Sequence, residues 1–226
     1  MQEFDKTELI AICRGKLQED GFRVVVEQDF DRIPSILDEI GKPYLTPKMS
    51  PLYNDFTGHD CFWLLLMRDN RVVAAAGTRL DDIGGGSIAE YWRRTMRRQY
   101  GANERQVIGR VADPVEQDLR GRLAYFGDLY FTTEAGRSIT TVRRFVLIGH
   151  MITSLKWNPD WTYAFLRERD VRRGACFHYG FNRFIPDAQF WIDPPAPREN
   201  TEYCAMTSRR DLAYMASSYV RSPERL

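Results

Sequence analysis

The sequence predicts one α/β domain in which strands and helices alternate, and three stretches carry that prediction. LAYFGDLYF (123–131) is a strongly β-forming run that passes through the polar turn TTEAGRSITT into a helix from Ile139 to about Lys156, with Val142, Phe145, Val146, Gly149 and Ile152 on one face. WTYAFLRE then reads as a strand, RDVRRGACFHYG as a helix stopped at Gly180, and FNRFIPDAQFWID as a strand bent at Pro186. Upstream, the apolar runs Cys61–Met67 and Arg71–Leu80 flank RDNR, whose Asp-Asn pair tolerates the left-handed backbone of a hairpin turn.

The remaining elements follow in order. Leu9, Ile10, Ile12, Cys13 and Leu17 have helical spacing over Thr7–Gln18, with Gly21 as the stop. FRVVVEQ is a β-branched strand, and Ile33, Ile36, Leu37 and Ile40 line a helix ended by Gly41. KPYLTPKMSPLYND holds three prolines and reads as irregular turns or a short helix, a candidate mobile segment. DDIGGGSIAEYWRRTMRRQYG opens on glycines and continues as a basic amphipathic helix; with the polar NERQVIGRVADPVEQDLRGR it forms an expected helical and loop insertion at about 82–121 within a single domain spanning 1–226. After the Pro-rich loop PPAPREN, TEYCAMTSR is expected to pair as a strand with its predecessor, and DLAYMASSYV closes as a helix.

Composition narrows the class. The 226 residues are 43% hydrophobic and 28% charged, values of a globular protein rather than a disordered or membrane-embedded one. Lys and Arg number 32 against 31 Asp and Glu, which counts against nucleic acid as a partner; Arg93, Arg94, Arg97 and Arg98 remain a local basic patch. The longest apolar run is far shorter than the roughly 20 residues of a membrane span, and MQEFDKTELI gives no targeting segment. Cys13, Cys61, Cys176 and Cys204 are scattered without metal-site or disulfide spacing, so they read as reduced thiols of a cytoplasmic protein that holds no metal.

The turn before the long helix is the first candidate for chemistry. A helix start offers unpaired N–H groups and the positive end of the dipole, which suits a phosphate. Thr132, Thr133, Ser138, Thr140 and Thr141 can add hydroxyls and Arg137 a cation; the same residues also serve as plain helix caps. Asp128 stands in an otherwise apolar strand, where a carboxylate needs a partner or a task, and Glu134 is a second acidic candidate facing solvent or the helix start. His59, His150 and His178 read as packing or surface residues.

The order of strand, anion-friendly turn, long helix, strand, and then a helix ending in Tyr179, Gly180 and Phe181 resembles the GNAT superfamily of acyl-CoA-dependent N-acyltransferases, over about Phe22 to Ser208. The resemblance implies a mixed, mostly antiparallel central sheet with helices on both faces, and a strand pair that splays apart to admit the acyl-CoA. It implies acetyl-CoA or another acyl-CoA as cosubstrate, a small-molecule amine as acceptor, and direct attack of that amine on the thioester. Leu129, Phe131, Arg137, Ser138, Ile139, Thr140 and Thr141 would then contact the cofactor. At the three defined positions of the family's turn this chain has Ala135, Ser138 and Thr140, none of which matches, so a noncatalytic ligand-binding protein is the alternative. A second alternative takes the acyl group from acyl carrier protein docked on the basic helix. Where the family has a proton-donating Tyr this sequence has Cys176, with Tyr179 three residues on; each can donate a proton or simply pack. Asp128 is the candidate base. The oligomeric state, a homodimer included, is left open.

Overall fold

The computed structural model describes residues 2–101, 105–136 and 138–226. Helix α1 (Gln2–Glu19) buries Leu9, Cys13 and Leu17, which recur every fourth residue on one face. Strand β1 (Arg23–Glu27) and helix α2 (Ile33–Glu39) follow, then the hairpin β2 (Cys61–Arg68) and β3 (Arg71–Asp82). Its turn residues Asp69 and Asn70 take φ of 49° and 62°, the left-handed backbone read from RDNR.

After helix α3 (Ile88–Tyr100), strand β4 (Ile108–Val111) and helix α4 (Asp113–Asp118), the chain returns as β5 (Arg122–Phe131). Asp82 pairs with Arg122, so residues 83–121 leave the sheet and rejoin it at the same level. The nineteen-residue helix α5 (Ile139–Trp157) leads to β6 (Trp161–Leu166). Helices α6 (Glu168–Arg172) and α7 (Ala175–His178), strands β7 (Arg183–Ile185), β8 (Gln189–Trp191) and β9 (Tyr203–Ser208), and helix α8 (Arg209–Arg221) complete the chain.

Seven strands form one sheet in the order β1-β2-β3-β5-β6-β9-β7. Every neighbouring pair is antiparallel except β5 with β6, which are parallel because α5 carries the chain back between them. This is the mixed, mostly antiparallel sheet expected. Alternate side chains divide the core: Leu64, Leu66, Ala74, Ala76 and Phe126 face α1, α5 and α8, while Trp63, Leu65, Leu123, Tyr125 and Tyr163 face α2 and α3.

Three local expectations are corrected. The stretch 181–193 is two strands: after Pro186 the chain turns at Asp187 (φ 49°), so β9 pairs with β7, whereas β8 leaves to pair with β4 in a separate two-stranded sheet. RDVRRGACFHYG is two short helices, broken where Gly174 takes φ of 79°. The proline-rich segment after Gly41 is pinned rather than mobile, for Lys48 and Met49 are buried and the Asn54 amide donates to the carbonyls of Pro47 and Ser50, both at 2.9 Å.

Candidate active site

The site begins with one extra residue in β5. Gly127 lies opposite Gly77 and Tyr130 opposite Ala75, so Asp128 and Leu129 together face Ala76. This bulge bends the strand, and Asp128 accommodates it with a left-handed φ of 54°. β5 and β6 remain paired only from Leu123 with Trp161 to Tyr125 with Tyr163. Beyond those residues the facing edges, Phe126–Phe131 and Ala164–Leu166, exchange no ladder bonds. A cleft of about 340 Å³ opens between them. It crosses the sheet, from Val146, Tyr179 and Phe181 beside α5 to Tyr44, Arg198 and Glu202 on the other face.

Two glycines shape its walls. A methyl group on Gly127 would sit inside the Tyr125 ring, which folds forward over the strand, and one on Gly149 would lie 2.6 Å from Phe126. Both aromatic side chains line the cleft because these positions are bare.

Asp128 lines the cleft with both carboxylate oxygens engaged. Lys42 Nζ lies 2.7 Å from Oδ1, the Thr46 amide donates to Oδ1 at 3.1 Å, and the Thr46 hydroxyl donates to Oδ2. The carboxylate therefore fastens the 42–46 segment to the bulge. Tyr179 also lines the cleft, and burial raises its phenol above the ordinary range. Its carbonyl is held at 2.8 Å by His150 Nε2, so that ring carries its proton on Nε2. His150 is wholly buried edge-on against Phe126 and Phe181, and burial lowers it to about 4, so it packs as a neutral ring. Cys176 is buried off the cleft, its thiol pushed up to about 11 by burial.

The remaining sequence candidates divide between cleft and turn. Leu129 lines the cleft, and Phe131 packs edge-on against Phe145. Ser138, Ile139 and Thr140 are exposed at the start of α5, Thr141 is buried, and Arg137 lies outside the described residues. Ser138 caps the helix by position without a side-chain bond to its backbone; its hydroxyl pairs instead with that of Thr140 at 2.6 Å. The first-turn amides of Ile139, Thr140 and Thr141 are thus open to an anion. Glu134 is exposed, His178 lies 3.4 Å from Arg143, and the His59 carbonyl accepts from Trp157.

Sequence reasoning missed the charged end of the cleft. Arg198 and Glu202 are 8% and 4% exposed, with Arg198 Nη1 3.2 Å from Glu202 Oε1. Arg198 Nε also donates to the Tyr100 hydroxyl at 3.3 Å, and the guanidinium lies 5.7 Å from the centre of the Phe165 ring. Burial raises the Glu202 carboxyl against the pull of Arg198. Glu202 Oε2 and Arg198 Nη2 are buried and have no hydrogen-bond partner among the described residues. The one sequence signal was a pair of opposite charges four residues apart beside an apolar strand.

A second carboxylate, Asp81, is buried outside the cleft lining. Lys48 Nζ at 2.7 Å and the Tyr163 hydroxyl at 2.6 Å donate to Oδ2, the Tyr91 hydroxyl donates to Oδ1 at 2.6 Å, and Arg79 Nε lies 2.9 Å from Oδ1. Lys48 sits 5.0 Å from the centre of the Tyr125 ring, which joins this cluster to the cleft wall. Among the described residues, no group of three or more His, Cys, Asp and Glu is arranged to hold a metal ion, and no helix is long and apolar enough to cross a membrane.

No protein-family model matches the chain, and no curated protein matches it. Among solved structures it is similar to Arabidopsis thaliana NAA60 in complex with acetyl-CoA, at 11% identity over 82% of this chain and 98% of that one, with a TM-score of 0.46. It is similar to a CoA-dependent acyl-homoserine lactone synthase, BjaI, at 14% identity over 90% and 91%, TM-score 0.44. An aminoglycoside N(6')acetyltransferase from Legionella pneumophila overlaps at 10% identity over 86% and 96%, TM-score 0.46. At these scores the likenesses say nothing of substrate. The mixed, mostly antiparallel sheet and the splayed strand pair are the arrangement that the resemblance implied.

Proposed function

We propose that this protein transfers an acyl group from an acyl-CoA thioester to an amine. The observation that carries the reading is the splayed pair: two strand edges with free backbone groups bound a cleft that crosses the sheet beside the start of a long helix. An extended acyl-pantetheine arm suits such edges, since it can exchange amide hydrogen bonds with them as a strand would. The amides of Ile139, Thr140 and Thr141 and the hydroxyls of Ser138 and Thr140 would hold the pyrophosphate. Donor and acceptor then enter from opposite faces and meet between β5 and β6.

When bound, the thioester supplies an acyl carbon already activated for attack, so that a carbon–nitrogen bond forms as the carbon–sulfur bond breaks. Glu202 takes the first proton from the acceptor ammonium, a task that a buried carboxyl with a raised affinity for protons performs well. A free backbone N–H on the opened edge of β5 polarises the acyl carbonyl. Tyr179 gives its proton to the departing sulfur and regains one from the attacking nitrogen, which balances the two protons that the ammonium must lose. Asp128 acts as a positioning residue through Lys42 and Thr46. Cys176, off the cleft, packs.

Calorimetric titration with acetyl-CoA and a long-chain acyl-CoA tests this reading, alongside the double variant Ser138→Asp, Thr140→Asp. Binding by the parent and its loss in the variant are the expected outcome. A parent that binds neither thioester sinks the proposal.

A further inference from the structure

The charged end of the cleft bears on the kind of amine that enters. A buried carboxylate and a buried guanidinium that only neutralised each other would settle into a two-bond fork, with both nitrogens facing both oxygens. Arg198 and Glu202 do not. They share one contact, Nη1 to Oε1 at 3.2 Å, and each keeps its second arm, Nη2 and Oε2, without a partner. Both side chains line the cleft. Leaving a buried charged donor and a buried charged acceptor unsatisfied is costly, and a ligand that offers the complementary groups removes the cost in place of water.

The arrangement is a charge array with a defined complement. A free N–H on a cation wants an anion, a free oxygen on an anion wants a cation, and the two arms belong to side chains that already touch. A molecule whose ammonium and carboxylate are on neighbouring atoms fills both at once, antiparallel to the Arg–Glu pair. A simple cationic amine answers only the Glu202 arm and leaves Arg198 buried and unmatched. A free acid answers only Arg198.

We infer that the acceptor is a free α-amino acid or a close amino-carboxylate analogue, its carboxylate held by Arg198 Nη2 and its ammonium by Glu202 Oε2. This rests on the acyl-transfer reading, because it places the ammonium on the residue that takes its proton. Arg198 is a specificity-determining residue and Glu202 both binds and deprotonates. The step is the one already balanced: the α-nitrogen takes the acyl group, and the thiol leaves with the second proton.

The test uses the intact protein with acetyl-CoA and a panel of the standard amino acids, each against its methyl ester and, where one exists, its decarboxylated amine, such as L-leucine with isoamylamine or L-phenylalanine with phenethylamine. Thiol release reads turnover. At least one free amino acid should exceed its ester and amine partners by about a hundredfold in kcat/KM, since a site built to bond a group rejects analogues that lack it. In Arg198→Gln the KM for that amino acid should rise about ten- to a hundredfold while the acetyl-CoA Kd stays unchanged. The ester and amine comparisons ask the same question of the unaltered protein should that variant fail to fold. Equal or better turnover of amines without a carboxylate overturns the inference. It is also overturned if acetyl-CoA binds but no amino acid is acylated or raises the melting temperature at roughly 10 mM. Failure to bind acetyl-CoA removes instead the reading beneath it.

Discussion

Asp81 and Glu202 are both buried carboxylates beside an arginine, and they differ in what is left over. Asp81 has every oxygen occupied, by Lys48 and Tyr163 on one side and by Tyr91 and Arg79 on the other. Burial alone would raise its carboxyl, but Lys48 and Arg79 outweigh that and hold it well below the usual carboxylate range. Glu202 has one cation at one oxygen, a bare second oxygen, and a carboxyl that burial still raises. A charge with all its partners inside the protein holds the fold together. A charge with a free arm in a cleft is arranged for something outside it. The two sites should therefore fail in different assays.

The widest separation is expected at Glu202. Glu202→Gln removes the proton acceptor and should lower kcat/KM by about a hundred- to ten-thousandfold, the range for a positioned acid or base. The melting temperature should fall by less than in a variant of Asp81, because Glu202 has a single ion-pair contact where Asp81 holds two cations and two hydroxyls. A variant that melts sharply earlier, or turns over at the parent rate, would put Glu202 in the same class as Asp81.

The reverse holds for Asp81→Asn. It leaves Lys48 buried opposite a neutral amide, and breaking a buried pair on one side costs about 3–5 kcal/mol of stability by denaturant unfolding. Lys48 has one carboxylate against a full burial penalty and the nearby Arg79 charge, so it is already lowered to about 8. The acid behaviour follows from Asp81: its folded value lies below its unfolded one, so its contribution is full above about pH 4 and fades as pH falls further. In the parent, unfolding free energy should decline through that window, and in Asp81→Asn the decline should be smaller.

This difference between the clusters was hidden in the sequence, while much of the fold was not. The β2–β3 turn was legible because two residues with left-handed backbone are a local matter, and α5 because its apolar face repeats at helical spacing. Asp128 was visible as a carboxylate in an apolar strand, but its partner Lys42 is 86 residues away. Arg198 and Glu202 sit in and after a proline-rich loop that reads as surface; only the fold, by seating that loop over Phe165 and against Tyr100, buries them. The β7–β8 division was hidden for a similar reason, since the partner of β8 is β4, a short strand inside a polar insertion.

A smaller effect is expected in the wall that both clusters share. Lys48 lies over one side of the Tyr125 ring, and Gly127 leaves room for that ring to fold along β5. Gly127→Ala places a methyl group inside the ring and forces it to move, an overpacking cost of about 1–3 kcal/mol. Because the displaced ring lines the cleft, the loss should appear both in stability and as weaker acetyl-CoA binding by calorimetry. A change in one without the other would show that Tyr125 serves the core or the cleft, not both.

The smallest effect is a displacement on the pH axis. Glu202 must be ionised to take a proton, so kcat/KM should rise with pH and level off once it is deprotonated. Its raised value puts that ascending limb above the usual carboxylate range, near 4.3 for an ordinary Glu. In the complex the substrate ammonium sits on Glu202 Oε2 and favours the ionised carboxylate, so the limb of kcat should lie lower than that of kcat/KM. In Arg198→Gln the cation that restrains the shift is gone, and the kcat/KM limb should move upward. A limb that stays in place in Arg198→Gln but vanishes in Glu202→Gln would keep Glu202 as the base and remove Arg198 from its electrostatics.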